Sequence, residues 1–403
     1  MAENTKEKIL KAAFSFYREP LFREVSLSEI AERVGITKAA IFKHFKNKDA
    51  LKAAMLNKMY GDVSVVLGEM QQKYNNFQSA EALPLVIKFV ADNPEYSNYM
   101  LCSLEETTED CFFFELKKYG ITLLNGIYND DGSIKNLHDY FRSVFVSTTM
   151  FVFTRIKQLF QETTGVCVDS RSFAEKLSLL IAKGIRGNDA PISLLRMTEI
   201  DSVCSESLSG LKKMDRVLLA IAKVISESGV SSLTVDKVSK ELGMAKSSLY
   251  TWFSNKNEMI KTLIKDEMSC LYSIMMANMK QMNCAGERLY AMLQTVISYL
   301  ILRPELLDVC KWLHMSGVEF EEDTEREKEI IDFFRSQKIL SELPDIGLGC
   351  NGENFFRFSA GWFFALPVML LIHGRSHKFS REILQAAMKD MYFMVQFGMD
   401  GTT

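Results

Sequence analysis

Two segments of this chain match each other without a gap, and this repeat constrains the fold more than any other feature of the sequence. Residues 25–48 read VSLSEIAERVGITKAAIFKHFKNK, and residues 233–256, 208 positions later, read LTVDKVSKELGMAKSSLYTWFSNK. The identical pairs are Gly35 and Gly243, Lys38 and Lys246, Phe45 and Phe253, Asn47 and Asn255, and Lys48 and Lys256. Apolar positions between them match in kind. The chain therefore carries two copies of one structural unit.

The first half of the unit predicts a short helix that ends in a glycine turn. Ser26 and Glu29 have the spacing of a capping box, so a helix begins there. Apolar residues follow at helical spacing and form one buried stripe. Gly35 ends the helix, because glycine accepts the left-handed conformation that a tight turn needs. The second copy has Thr234 as its cap and Gly243 in its turn.

The second half of the unit predicts another short helix, from about Thr37 to Phe45. This helix buries Ile41 and Phe45, and Asn47 caps a third helix beyond it. In the second copy, Asn255 with Glu258 forms the corresponding cap. Two short helices joined by a glycine turn form a helix-turn-helix, whose second helix can enter the major groove of DNA. The side chains predicted to face outward in the first copy are Lys38, Ala39, Ala40, Lys43 and His44.

Basic charge is concentrated around the two copies. Residues 1–50 contain 10 Lys+Arg against 7 Asp+Glu, and residues 211–260 contain 8 against 5. Since the whole chain has a net charge of −3, the remaining sequence carries −9. A surface that contacts phosphates requires this kind of distribution. We call residues 1–50 the first head and residues 211–260 the second head.

Both heads resemble the DNA-binding region of the TetR family of bacterial transcriptional regulators. The family pattern has an Ile-Ala pair, a Val-Gly turn and an aromatic-x-x-Phe ending followed by lysine. A preceding amphipathic helix is expected, and Ile9, Ala12, Ala13 and Phe16 supply it in the first head. The pattern appears here as Ile30-Ala31, Val34-Gly35, Phe42-x-x-Phe45 and Lys48, and again as Val238-Ser239, Leu242-Gly243, Tyr250-x-x-Phe253 and Lys256.

The resemblance implies an all-α fold of two tandem TetR-like units. Each unit has a helix-turn-helix three-helix head and a C-terminal helical regulatory domain, and we expect the two units to pack as an intrachain pseudo-dimer. The repeat continues past the heads, since 93–102 parallels 303–312 and 136–142 parallels 351–357. The polar, Ser-rich segment Thr198–Gly210 is the expected boundary. The predicted domains are 1–50 (first head), 51–200 (first regulatory domain), 211–260 (second head) and 261–403 (second regulatory, dimerisation-like domain).

The resemblance also implies which residues contact DNA. Thr37 and His44 would contact phosphates, and Lys38 would reach a guanine edge. Ala39 and Ala40 permit close approach to a thymine methyl group. For Phe42 and Trp252 the alternative is a partly buried role in the core. The implied contact residues are Thr37, Lys38, Ala39, Ala40, Phe42, Lys43, His44 and Lys48 in the first head, and Ala245, Lys246, Ser247, Ser248, Tyr250, Thr251, Trp252 and Lys256 in the second.

The two recognition helices differ, KAAIFKHF against KSSLYTWF. Identical heads read a palindrome, because the symmetry of the operator mirrors that of the protein. Two different heads in one chain therefore predict an asymmetric site in double-stranded DNA. The chain would bind as a monomeric pseudo-dimer, or alternatively as a homodimer with four heads.

Family members enclose a small apolar ligand in the C-terminal domain, and the resemblance implies such a ligand here. Phenylalanines in the first half and methionines in the second are candidates to line its pocket, and 15 of the 22 methionines lie after residue 205. The alternative is a role in the core, because aromatic and methionine stripes at helical spacing are usually core residues. The candidate lining residues are Phe112, Phe145, Met275, Met279 and Met315.

Composition argues against several other classes of protein. The start MAENTKEK is already charged, so no signal segment is expected, and a cytoplasmic location follows. The most apolar run, Phe358–His373, contains Pro367 and falls short of the roughly 20 residues that span a bilayer, so a buried helix is expected. The eight cysteines lack metal-binding spacing and are expected as reduced thiols. We expect no metal, cofactor or membrane partner, and no enzymatic activity, because phosphate-loop and nucleophile motifs are missing.

The sequence favours a sequence-specific transcriptional regulator, a repressor that a small apolar ligand releases from DNA. One alternative is a DNA-binding factor without ligand control, linked to the nucleoid or to cell division. Another keeps the fold but has lost DNA binding and serves as an interaction module or ligand carrier.

Overall fold

The computed structural model describes residues 4–18, 26–74, 81–103, 109–185, 191–229, 232–310, 332, 346 and 353–401. Regular structure in these ranges is helical, apart from one isolated antiparallel bridge between Tyr128 and Ile134. The described residues divide into two compact units. The first contains the residues up to Ala182 together with Ile346, and the second contains the remaining residues from Lys183 onward. The all-α, tandem prediction is confirmed.

Within the described residues, seven helices precede the long helix α8, and the order of short and long helices in α1–α4 returns in α11–α14. The helices are α1 Thr5–Ser15, α2 Leu27–Val34, α3 Lys38–Phe42, α4 Lys48–Lys73, α5 Leu83–Asp92, α6 Pro94–Ser103, α7 Glu109–Lys118, α8 Leu137–Thr164, α9 Ser170–Lys183, α10 Leu194–Ser209, α11 Arg216–Ser228, α12 Val235–Leu242, α13 Lys246–Tyr250, α14 Lys256–Lys280, α15 Ala285–Leu302, α16 Glu353–His377 and α17 Arg381–Phe397. The starts of α12, α13 and α14 lie 208 residues after those of α2, α3 and α4. The sequence repeat is therefore a repeat of structure.

The first head folds around the apolar stripe that its sequence predicts. The buried residues Ile9, Ile30, Ile41 and Phe45 form one cluster, and apolar side chains of α4 belong to the same core. The ring of Phe14 contacts the rings of Tyr96 and Tyr99 on α6, at centroid distances of 4.8 and 5.5 Å. The head is thus continuous with the helical body of its own unit.

The body of the first unit places the long helix α8 against α5 and α6. Pro94 begins α6, where its missing N–H costs no hydrogen bond. Asn136 caps α8 by accepting a hydrogen bond from the backbone N–H of Asp139, at 3.2 Å. The matching proline in the second unit, Pro304, begins a short 3-10 turn.

The body of the second unit is built around α15, which is buried along nearly its whole length. Helices α10, α14, α16 and α17 all pack against it. The apolar run predicted as a buried helix lies in α16, where Trp362, Leu366 and Leu370 are fully buried. None of the helices in the described ranges combines the length and the hydropathy that a membrane-spanning helix needs.

The recognition helix of the first head is shorter than predicted. It ends at Phe42 rather than Phe45, because the last turn tightens. The N–H of Lys43 bonds to the carbonyl of Ala40 at 3.2 Å, and that of His44 bonds to Ile41 at 2.9 Å. These i→i−3 bonds are typical of a 3-10 turn.

The segment Thr198–Gly210, predicted as a polar boundary, is helical instead. It belongs to α10, which lies within the second unit and packs on α14 and α15. Ser202, Ser205 and Ser209 are exposed, and the half-buried Ser207 accepts a hydrogen bond from Asn278 on α14 at 3.0 Å. The residues Met197, Ile200, Cys204 and Leu208 recur at helical spacing and are buried. That spacing outweighs the Ser-rich composition, because burying one apolar stripe is enough to hold a helix.

Candidate nucleic-acid interface

Both heads form the same helix-turn-helix, and a glycine sets its angle. Gly35 and Gly243 have φ values of 75° and 63°, in the left-handed region. The N–H of Ile36 bonds to the carbonyl of Ala31 at 2.9 Å, and that of Met244 bonds to Ser239 at 2.9 Å. This 6→1 bond is the Schellman ending of a helix. The predicted glycine turn is present in both copies.

The first head presents one polar face along α3 and the turn after it. Ile41 and Phe45 anchor the opposite side in the core, so the residues between them point outward. Of the predicted contact residues, Thr37, Lys38, Ala39, Phe42, Lys43 and His44 are exposed, and Ala40 and Lys48 are half-buried.

The second head presents the matching face on α13. Leu249 and Phe253 are its buried anchors. Of the predicted residues, Ala245, Lys246, Ser247, Tyr250, Thr251 and Trp252 are exposed, and Ser248 and Lys256 are half-buried. The structure therefore brings each predicted set together on one surface of its own head.

Three large aromatic side chains on these faces are open to solvent. Phe42 is 45% exposed, Tyr250 57% and Trp252 51%. Neither Phe42 nor Trp252 lies fully in the core, although about half of each side chain is covered. Exposed aromatic rings beside lysines suit contact with sugars and bases.

The two recognition helices begin differently. In the first head, the hydroxyl of Thr37 accepts a hydrogen bond from the N–H of Ala40, at 3.2 Å. In the second head, Ala245 has no side chain that could cap α13. The Thr37 hydroxyl still has its proton to donate, so it can cap the helix and bind a phosphate at once.

The recognition lysine of the second head is held by an acid. Lys246 Nζ lies 2.7 Å from Asp236 Oδ1, and Lys240 Nζ lies 2.9 Å from Asp236 Oδ2. The hydrogen bonds from Lys246 and Lys240 lower the pKa of Asp236 to about 2, and Asp236 raises the pKa of Lys246. The position that matches Asp236 in the first head is Ser28, and within the described residues no carboxylate pairs with Lys38.

A long helix begins directly behind each recognition helix. Asn47 caps α4 by accepting from the N–H of Ala50 at 2.8 Å, and Asn255 caps α14 by accepting from the N–H of Glu258 at 3.0 Å. Lys256 is half-buried at the start of α14, and burial lowers its pKa. A positive residue at a helix N-terminus, where backbone N–H groups also point outward, can hold a phosphate.

A sequence model of the family described as "Bacterial regulatory proteins, tetR family" matches the chain twice, at residues 9–55 and 217–263. Each match takes in one complete helix-turn-helix with parts of the helices before and after it. The chain carries the DNA-binding domain of the TetR family in two copies.

Curated relatives match only part of the chain. Nucleoid occlusion factor SlmA of Haemophilus influenzae is 28% identical over 99 residues, 24% of this chain and 45% of that protein. SlmA of Mannheimia succiniciproducens is 27% identical over 112 residues, 28% and 52%. The fatty acid metabolism regulator protein of Bacillus subtilis is 30% identical over 77 residues, 19% and 40%. The chain thus spans about half the length of the curated relatives that it matches.

The predicted ligand-lining residues lie in different parts of the chain. Phe145 is buried on α8 of the first unit, and Met275 and Met279 are buried one turn apart on α14 of the second. The side chain of Phe112 and the whole of Met315 lie outside the described residues. Among the described residues, no group of His, Cys, Asp and Glu could hold a metal ion.

Sequence reasoning missed a polar network inside the second unit. Tyr290 donates to Asp201 Oδ1 at 2.7 Å, Gln294 donates to the same atom at 2.6 Å, and Lys389 pairs with Asp201 Oδ2 at 2.9 Å. Asp201 lies on α10, the segment that looked like a linker. The Asp236–Lys246 pair was missed as well, although the mismatch of serine and aspartate at matched positions is visible in the sequence.

Proposed function

We propose that the chain is a transcriptional repressor whose two unlike heads read the two halves of an asymmetric duplex site. The supporting observation is that both heads share one backbone arrangement but expose different side chains at matched positions. Equal geometry lets both enter a major groove, and unequal side chains make the preferred bases differ.

In this proposal the lysines and small residues read bases. Lys38 and Lys246 donate to the O6 and N7 acceptors of guanine, the commonest base contact of lysine and arginine. Ala39 and Ala40 pack against a thymine methyl group, while Ser247 and Ser248 donate or accept at base edges. These roles are supported by the exposure of the side chains on the faces of α3 and α13.

The remaining residues hold the phosphate backbone. Thr37, Lys43 and His44 flank α3, and Lys48 begins α4. In the second head, Thr251 and Lys256 take the corresponding places, and Tyr250 and Trp252 pack on the sugars. Such contacts set the register of a protein on DNA without reading its sequence. Phe42 lacks the hydroxyl that Tyr250 can offer to a phosphate.

A small apolar ligand is proposed as the signal that releases the DNA. Phe145 in one unit and Met275 and Met279 in the other are buried in helical bodies continuous with the heads, with Phe112 and Met315 as further lining candidates. The similarity to a fatty acid metabolism regulator supports an apolar effector. The test is release of a bound duplex on adding long-chain fatty acids, with neutral apolar compounds as the comparison.

A second candidate function is DNA binding without ligand control, in organising the nucleoid or timing division. It is favoured by the similarity to two nucleoid occlusion factors. Retention of the duplex in the presence of every apolar compound tested, together with many binding sites spread over a genome, would favour it over the ligand-controlled repressor.

Selection from a random duplex library by the purified chain tests the proposal. One chain bound to a two-part site with unlike halves is the expected result. A palindrome bound by two chains would mean that one head of each chain does the reading. No enrichment, with no change on converting Lys38 and Lys246 to alanine, would leave a TetR-like protein that has lost DNA binding.

A further inference from the structure

The two heads carry different charged residues at one corner of the helix-turn-helix. In the second head this corner holds Asp236, Lys240 and Lys246, and its matched residues in the first head are Ser28, Glu32 and Lys38. The Asp236 carboxylate takes one lysine on each oxygen, at 2.9 and 2.7 Å. Lys246, the residue proposed to reach a guanine, is therefore already in an ion pair in the absence of DNA.

The ion pair between Asp236 and Lys246 is weak enough to break when DNA binds. The side chains of Lys246 and Asp236 are 55% and 38% exposed, so water and salt screen their attraction. A phosphate offers Lys246 another exposed anion, which is little better than the one it already has. A guanine edge in a desolvated groove offers two fixed acceptors, and hydrogen bonds to these compensate for the lost ion pair with Asp236.

Asp236 also lies where the DNA backbone would pass. It is in the first turn of α12, the first helix of the helix-turn-helix, and in such motifs this helix crosses the backbone. Asp236 places a carboxylate at this point, where the first head has the Ser28 hydroxyl, which can bind a phosphate. Glu32 gives the first head a carboxylate as well, but within the described residues no carboxylate pairs with Lys38. Lys38 is therefore available to the phosphates of any duplex, whereas Lys246 is already paired.

We infer that Asp236 is a specificity-determining residue. Its ion pair keeps Lys246 from binding phosphates, and the pair breaks only when Lys246 binds the correct base. This inference rests on the proposed DNA-binding function. In it, the first head supplies affinity for any sequence, and the second head supplies discrimination.

The test is the salt dependence of binding to a random-sequence duplex, measured on the full chain. Asp236→Ser installs the residue of the first head. It is expected to bind several-fold more tightly at low salt, and its log–log slope should steepen by about 0.9, the value for one added phosphate contact. Its preference for the selected site over a site with the second-half guanine replaced should fall.

Two further variants separate this effect from a general change of charge. Asp266→Ser makes the same change in net charge ten residues into α14, and it should leave the slope and the preference unchanged. Lys246→Ala should reduce the slope by about 0.9 in the Asp236→Ser background but hardly at all in the wild type. Asp236→Asn replaces Asp236→Ser if circular dichroism shows that the serine variant does not fold.

The same network can be moved to the first head. Glu32→Lys alone and Glu32→Lys with Ser28→Asp differ only by the new aspartate beside Lys38. The double variant should have a shallower slope than the single one.

The inference is overturned if the wild type binds DNA and Asp236→Ser behaves like Asp266→Ser. If the wild-type chain binds no duplex at all, both the inference and the proposed function fail.

Discussion

Gly35 and Gly243 occupy the same left-handed backbone position, one in each head. A Cβ atom at either residue would meet no other atom within 4 Å. Any effect of a side chain there must therefore come from the backbone itself and not from a clash. An L-residue in this conformation costs about 1–2 kcal/mol.

Changing Gly35 or Gly243 to alanine should lower the free energy of unfolding by about 1 kcal/mol each, because the left-handed turn is strained with a Cβ. Gly210→Ala is the matched control, since Gly210 is equally open but has a φ of −90°. Urea unfolding followed by circular dichroism measures the difference. A Gly35→Ala variant as stable as Gly210→Ala would contradict this account.

The pairing of Asp236 has a defined pH range. Its pKa is lowered to about 2, so the carboxylate is charged and paired above that value and loses its partners only as the pH falls through it. The difference in salt slope between the wild type and Asp236→Ser should therefore be the same at about pH 5.5 and about pH 8. A difference that disappears at the lower pH would mean that another group controls Lys246.

At the scale of elements, a bidentate ion pair joins α10 to α15. Arg196 donates from Nε to Glu287 Oε1 at 2.8 Å and from Nη2 to Oε2 at 2.9 Å. Glu287 is buried and also accepts from the N–H of Asn283 at 2.9 Å. The Arg196 hydrogen bonds are the main reason why the pKa of Glu287 is lowered.

Arg196→Ala should destabilise the second unit by about 2 kcal/mol at neutral pH, because it leaves a buried carboxylate with one partner fewer. In the wild type this stabilisation is present above the ordinary glutamate pKa and is lost as the pH falls through the lowered value. The deficit of the variant should thus shrink toward acid pH. Thermal unfolding at several pH values measures it.

Arg171→Ala is the control for this prediction. Arg171 pairs with Glu175 on the surface of α9, at 3.1 Å, and exposed pairs of this kind contribute about 0.5 kcal/mol or less. A loss of stability as small for Arg196→Ala as for Arg171→Ala would mean that apolar packing alone holds α10.

At the scale of the whole molecule, the two heads have the same backbone arrangement but different exposed side chains. Six positions of the first head, five of them exposed and one half-buried, can be given the residues of the second without touching its buried anchors. The changes are Thr37→Ala, Ala39→Ser, Ala40→Ser, Phe42→Tyr, Lys43→Thr and His44→Trp.

This six-residue variant should select a site whose two halves have the same base sequence, because like surfaces on like backbones prefer like bases. Selection from the random duplex library measures it, with the wild type selected in parallel. Two halves that remain unlike would show that residues outside the recognition helices choose the bases.

Local sequence was enough to predict the heads. Capping residues, a glycine turn and apolar residues at helical spacing act within one or two turns of chain, so Ser26, Gly35 and Asn47 could be identified without a structure. Each has the predicted role: Ser26 and Glu29 form the capping box, with bonds of 2.9 and 3.2 Å. The outward positions followed from the same periodicity.

Tertiary structure decided what lies beyond that range. The serines of α10 suggested a linker, and only packing against α15 shows that its apolar stripe is buried. Lys246 and Lys38 are the same residue type at matched positions, yet one is paired and the other has no carboxylate partner within the described residues. The sequence by itself determined the repeated helix-turn-helix, because its signals are local. The partners of α10 and Lys246 depended on the fold, because those contacts join residues that only packing brings together.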